Sequence, residues 1–88
     1  MRSTIIKIIA KVKEDAGLVE KIDSRSHLMR DVGLTSLDMM QLFLEIEEEF
    51  DIEVDLDAVS LELFESIDRL CEFVAAAVAA KAEVRLSG

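Results

Sequence analysis

At 88 residues the chain has the length of one small domain, which buries only about 60–65% of the surface its unfolded form exposes, so an enclosed active site has little room. Hydrophobic residues make up 51% of it, yet aromatics are 5% and Trp, Tyr and Pro are absent, a composition that favours helices over a sheet sandwich. The net charge of −9 disfavours nucleic acid as a partner, because binding it depends on cations that neutralise phosphates.

Residues 3 to 16 carry Ile5, Ile8, Ile9, Val12 and Ala16 on one helical face, with Lys7, Lys11, Glu14 and Asp15 mostly elsewhere. Ser3 or Thr4 is placed to cap this helix and Gly17 to end it. Its short apolar stripe and mixed charge suit packing on another helix better than lying on a membrane. Residues 17 to 35 form a long connection whose Leu18, Val19, Ile22, Leu28, Met29 and Val32 are too apolar for a free linker and are expected to plug the helix ends. His27 is the single histidine; with no second one to complete metal or nucleophilic chemistry it reads as an exposed or capping loop residue.

The next stretch, DVGLTSLDMMQLFLEIEEEF over residues 31 to 50, organises the rest. Thr35 followed three residues later by Asp38 approximates a capping box, which makes Thr35 the N-cap and Ser36 the first helical residue. Met39, Leu42, Phe43, Ile46 and Phe50 then share one face, as packing on a core requires. A second, narrower apolar set of Leu37, Met40 and Leu44 stacks at spacings of three and four, flanked by Gln41, Glu47, Glu48 and Asp51. Ser36 lies in the first turn, where unpaired N–H groups and the positive end of the helix dipole favour an anion. A phosphate on Ser36 would be well placed, although a serine at a helix start is most often only part of a cap.

Asp51 to Leu56 alternates charged and apolar side chains, but without a partner strand it reads as an extended link with Ile52 and Val54 inward. Residues 57 to 64 suit a short third helix that packs through Ala58, Val59, Leu61, Leu63 and Phe64. Ser66 opens a last helix with Ile67, Leu70, Cys71, Val74 and Val78 on one face and a run of alanines, its end from residue 80 expected to fray. Cys71, the only cysteine, excludes an internal disulfide and reads as an inert core thiol, which fits a reducing compartment. No signal-peptide pattern or membrane-spanning run is present in the sequence, so the chain is expected to be cytoplasmic, with no membrane partner.

The charge is unevenly spread: residues 31 to 72 contain fourteen Asp or Glu against one base, Arg69, a balance of −13, and the rest of the chain comes to +4. Acid therefore borders the second apolar set, as a docking surface for basic patches on partner proteins would require.

The whole pattern, D-V-G-L-T-S-L-D with Asp31, Gly33, Ser36, Leu37 and Asp38, then Glu47-Glu48-Glu49-Phe50 and Ile52-Glu53-Val54, resembles acyl and peptidyl carrier proteins along essentially the whole chain. That resemblance implies an all-α, four-helix bundle of three main helices and a short third one, spanning residues 1–88 as a single monomeric carrier domain; the single-domain length suggests a free-standing carrier, the alternative being a domain excised from a synthase. It implies 4′-phosphopantetheine, donated by coenzyme A and attached to Ser36 by a phosphopantetheinyl transferase, with cargo held as a thioester. It further implies docking through Leu37, Asp38, Met40, Gln41, Leu44, Glu47 and Glu48 to acyl-loading and acyl-processing enzymes such as an acyltransferase, a ligase or a ketosynthase, and no catalytic or resident metal site in the chain itself. One position departs from the pattern: fatty-acid-type carriers have Asp immediately before the modified serine, and here Thr35 stands there. That leaves Asp38 and the transferase's own ligands to hold the magnesium and leans toward specialised polyketide or peptide metabolism over fatty-acid synthesis. The alternatives are a peptidyl or aminoacyl carrier and a non-covalent acidic adaptor that binds a basic amphipathic helix.

Overall fold

The computed structural model describes every residue except Ser24, Leu56, Ala58 and Gly88, and the side chains of residues 1–82 apart from those three. Its helices are α1 (Arg2–Lys13), α2 (Leu18–Lys21), α3 (Ser36–Phe50) and α4 (Ile67–Ser87), with a 3-10 turn at Leu61–Phe64 before the last. No strand occurs among the described residues; Asp51 ends α3 in a left-handed conformation, residues 52–55 follow as an irregular link, and Leu56, the last residue of the expected link, lies outside the described residues. The chain is an all-α bundle in which α1 packs on both α3 and α4.

One apolar core joins the elements. Ile5 and Ile9 of α1, Leu42 and Ile46 of α3, and Ile67, Leu70 and Val74 of α4 are all fully buried, with Leu28 of the long connection among them. These are the faces that the 3.6-residue period picks out, and Met39 and Phe43 complete that of α3. Charged pairs brace the outside: Arg2 bonds Asp68 between α1 and α4, and Lys11 bonds Glu45 at 3.1 Å between α1 and α3. Exposed pairs of this kind contribute little stability, so burial holds the bundle.

Four expectations are corrected. First, α1 begins at Arg2 with Met1 at its N-cap and no side-chain cap, so Ser3 and Thr4 lie within it instead of capping it, and it stops at Lys13 rather than running to Gly17, with Ala16 exposed. Glu14 takes a left-handed conformation with φ 54°, and the N–H groups of Glu14 and Asp15 return to the carbonyls of Lys11 and Ala10, a Schellman ending without glycine. The Asp15 carboxylate then accepts the N–H of Gly17 and turns the chain, so that Leu18 and Ile22 fold back on the core. Second, the long connection contains the single helical turn α2; Ile22, Leu28 and Val32 are buried as plugs, but Val19 and Met29 are exposed.

Third, the helix expected over residues 57 to 64 is only the 3-10 turn, and Leu61 is 78% exposed instead of packed. Val59 and Phe64 both reach the core, and an α-helix would set residues five apart about 140° from one another. Extended backbone at Ser60 followed by a tight turn buries both. Leu63 is half-buried, and Ala58, expected to pack with them, lies outside the described residues. Fourth, α4 continues through Ser87 where fraying was expected, in keeping with the high helix propensity of its alanines.

The two ends of α3 are held by lysines from its neighbours. At its C-terminus Asp51 is left-handed, and Lys81 of α4 bonds both the Asp51 carbonyl and, at 2.7 Å, its carboxylate, placing a cation at the negative end of the helix dipole. Half-buried Glu47 reaches forward so that its Oε2 accepts the Val54 N–H at 2.9 Å, which fixes the link against α3.

Candidate functional site at the start of α3

The segment that leads into α3 is bonded along its length. His27 caps a turn: its Nδ1 accepts the N–H groups of Met29 and Arg30, each at 3.1 Å, while its own N–H donates to Asp31 Oδ2 at 2.8 Å. The loop histidine is thus the capping residue that the sequence allowed, and Asp31 is its partner. Gly33 follows with φ +84°, a conformation that any side chain would strain. Leu34 is buried, and its N–H donates to the Leu28 carbonyl at 3.1 Å.

Thr35 and Asp38 form the full capping box: Thr35 Oγ1 accepts the Asp38 N–H at 3.1 Å and Asp38 Oδ2 accepts the Thr35 N–H at 3.0 Å. Ser36 is the first helical residue, exposed to solvent. Because the box uses the N–H of Asp38, those of Ser36 and Leu37 are the first-turn donors that have no intrahelical acceptor. The site therefore presents a hydroxyl beside open N–H groups at the positive end of a fifteen-residue helix.

The Thr35 backbone N–H holds the Asp38 carboxyl below its usual 3.8, against the opposing effect of desolvation, and the Thr35 hydroxyl and the charge of Lys13 lower it further. A folded value below the unfolded one means that this stabilisation is complete above the unfolded value and is lost as pH falls through the lower, folded value. Asp38→Asn is accordingly expected to be less stable than wild type in urea at neutral pH, with the gap closing in acid; a gap that stays constant into acid would contradict the capping role.

The outer face of α3 carries Leu37, Met40 and Leu44, exposed by 77%, 52% and 61%, three of the most exposed large apolar side chains described. Gln41 and Glu48 are exposed beside them. Glu47 and Asp38, expected on the same docking face, are also engaged within the chain, one with the Val54 N–H and the other in the capping box. Next to Ser36 opens a cleft of about 270 Å³ lined by Met29, Met39, Met40, Phe43, Val59 and Phe64. The rings of Phe43 and Phe64 meet at 6.4 Å in a tilted pair, and the Phe64 carbonyl accepts the Leu28 N–H, which joins the cleft's far wall to the loop.

The sequence pattern of the family described as "Phosphopantetheine attachment site" matches residues 6–74. The chain belongs to the acyl carrier protein family. It is 36% identical over 70 residues to Aminoacyl carrier protein 1 of Bradyrhizobium diazoefficiens, an alignment that covers 80% of this chain and 77% of that one. It is 44% identical over 66 residues to the Acyl carrier protein of Buchnera aphidicola subsp. Schizaphis graminum, covering 73% of this chain and 81% of the relative. With the mitochondrial Acyl carrier protein of Saccharomyces cerevisiae the identity is 41% over 56 residues, 64% of this chain and 43% of that protein.

Carriers of this family hold a covalent 4′-phosphopantetheine and work with a transferase that attaches it and with acyl-processing enzymes. The residues at the head of α3 fit such a group: an exposed hydroxyl, open N–H donors at a helix start and an apolar cleft alongside. No helix among the described residues is long and apolar enough to cross a membrane, and no acid, histidine and cysteine cluster there could hold a metal ion. Cys71 is half-buried against the core, and burial pushes its thiol above the ordinary range despite nearby Arg2.

Several of these features left no sequence signal. Lys13, Phe64 and Val59 approach the site only through the tertiary fold, and the Glu47 bond to Val54 spans an irregular link. The four-residue spacing of His27 and Asp31 is the one local hint.

Proposed function

We propose that Ser36 is the attachment residue, that the chain carries an acyl group on its arm, and that the outer face of α3 presents the loaded arm to partner enzymes. One observation carries the reading: an exposed serine opens a capped helix whose solvent face bears an acid-bordered apolar stripe. In attachment, Ser36 Oγ attacks the pantetheine-side phosphorus of coenzyme A as its proton passes to a base of the transferase. The Oγ–P bond forms, the P–O bond of the pyrophosphate breaks, and 3′-phosphoadenosine 5′-phosphate leaves. When bound, the arm supplies a thiol that holds cargo as a thioester.

The chain's own residues position and recognise. Thr35 and Asp38 fix the helix start, so that exposed Ser36 is presented on a regular element at the edge of the cleft. Leu37, Met40 and Leu44 supply contact area, while Gln41, Glu47, Glu48 and Asp38 add polar and acidic character that steers basic partner surfaces. The phosphopantetheinyl transferase and the loading and processing enzymes, an acyltransferase, ligase or ketosynthase among them, all read this face in turn. The chain acts as one carrier unit, a cytoplasmic monomer, and is itself no enzyme.

The apolar cleft favours acyl over aminoacyl cargo, because its lining among the described residues offers no charge to receive an ammonium group. The name of the Bradyrhizobium relative keeps an aminoacyl cargo as the second reading. The test is the intact mass after incubation with coenzyme A, magnesium and a broad-specificity transferase. A gain of one phosphopantetheine is expected; no gain, with a known carrier modified in parallel, would leave the adaptor reading. Apolar acyl thioesters on the loaded chain should also broaden or shift the methyl NMR signals of Met39 and Met40, and aminoacyl thioesters should not.

A further inference from the structure

Val32 and Leu34, on either side of Gly33, are buried in the core, and the carbonyl of the glycine turn between them accepts a hydrogen bond from a side chain outside the segment, that of Lys13. This residue ends α1, immediately before the reversal at Glu14. Its Nζ donates to the Gly33 carbonyl at 3.1 Å and lies 3.9 Å from Asp38 Oδ2, the oxygen that accepts the Thr35 N–H. The Lys13 side chain is 30% exposed and that of Asp38 24%, so the contact is partly withdrawn from water.

The geometry points to Lys13 as a positioning residue for the modification of Ser36, an assignment that rests on Ser36 being the attachment site. Leu34 ties the turn to Leu28 in the same loop, and the Thr35–Asp38 box ties it to its own helix. Buried Val32 and Leu34 anchor its flanks in the core, and Lys13 supplies the directional polar contact that ties the Gly33 carbonyl itself to α1, whose Ile5 and Ile9 are fully buried. Gly33 adds to the need, since a glycine at positive φ is the point where the backbone is freest to swing. Pinning its carbonyl fixes the direction in which the next three residues leave and hence the position of the exposed Ser36.

Charge gives the assignment a sharp discriminator. Lys13 is a cation brought to the head of a segment whose own balance is −13. If the residue mattered only through the field felt by an approaching basic transferase, its removal would make the carrier more acidic and speed encounter at low salt. Positioning predicts the opposite sign. A misplaced hydroxyl lowers turnover once bound, a loss in kcat more than a rise in KM.

The experiment compares wild type, Lys13→Met and Lys13→Arg with the same transferase, coenzyme A and magnesium, and follows amide hydrogen exchange in parallel. Lys13→Met is expected to lower kcat for modification about five- to fifty-fold, while Lys13→Arg retains most of the rate. Exchange should quicken at Leu34 and Thr35 in Lys13→Met and stay unchanged at Val74 in α4. Modification of Lys13→Met at the wild-type rate or faster would overturn the assignment. So would a slow variant whose exchange rises throughout the chain, since that reports general destabilisation. Failure of wild type itself to gain an arm at Ser36 would instead remove the attachment reading, and this assignment with it.

Discussion

Ser36→Ala is expected to fold as wild type does and to gain no phosphopantetheine at all. The Ser36 hydroxyl takes no part in the capping box, which belongs to Thr35 and Asp38, and alanine is a good residue for the first turn of a helix. The melting temperature should therefore barely move while modification disappears. Thr35→Val gives the reciprocal result. It leaves the Ser36 nucleophile but deletes the acceptor for the Asp38 N–H, at a cost of about 1 kcal/mol, and the arm should still attach, more slowly. Two adjacent hydroxyls thus separate, one chemical and one structural. Thermal unfolding and intact mass on the same two preparations check both halves; an arm on Ser36→Ala would contradict the assignment.

The second large effect separates the two apolar faces of α3. Leu42 is fully buried in the core, and Leu42→Ala is expected to cost about 2–5 kcal/mol through lost burial and the cavity left behind. In a chain of this size such a loss is a large share of the total stability. Leu44 is two residues away but 61% exposed, so Leu44→Ala should change stability by less than about 0.5 kcal/mol. Its effect belongs to partner binding instead: acyl transfer to or from partner enzymes should slow several-fold, and more so when Leu37 and Met40 are truncated with it. Urea unfolding measures the first effect and single-turnover transfer the second. Equal destabilisation by both substitutions would mean that the outer stripe is packed rather than presented.

The sequence reads well here where its signal is local. The capping box depends on Thr35 and Asp38 three residues apart, and the two faces of α3 depend on a fixed period; both are present as the pattern requires. The burial of Ile5, Ile9, Ile67, Leu70 and Val74 follows from the same period in α1 and α4. Misreadings fall where local and tertiary demands compete. Ala16 continues the period of α1, yet the Asx turn at Asp15 and the reversal at Glu14 end the helix first. The apolar run at residues 58–64 suits a helix, yet Val59 and Phe64 both turn to the core, which leaves Leu61 in solvent.

The candidate site divides in the same way. Ser36, Leu37, Met40 and Leu44 are visible in the sequence because one helix sets their relation. The cleft is not, because Met29, Val59 and Phe64 reach it from a loop, a link and a 3-10 turn far apart in the chain. Lys13 escapes notice for the same reason, lying twenty residues before the carbonyl that it holds.

The most direct test of the central claim is to locate the arm. Wild-type chain treated with coenzyme A, magnesium and transferase should be digested and the modified peptide fragmented in the mass spectrometer. A single phosphopantetheine on Ser36 is expected, with Thr35 and every other hydroxyl residue unmodified. An arm found on Thr35 or on any other residue would contradict the claim.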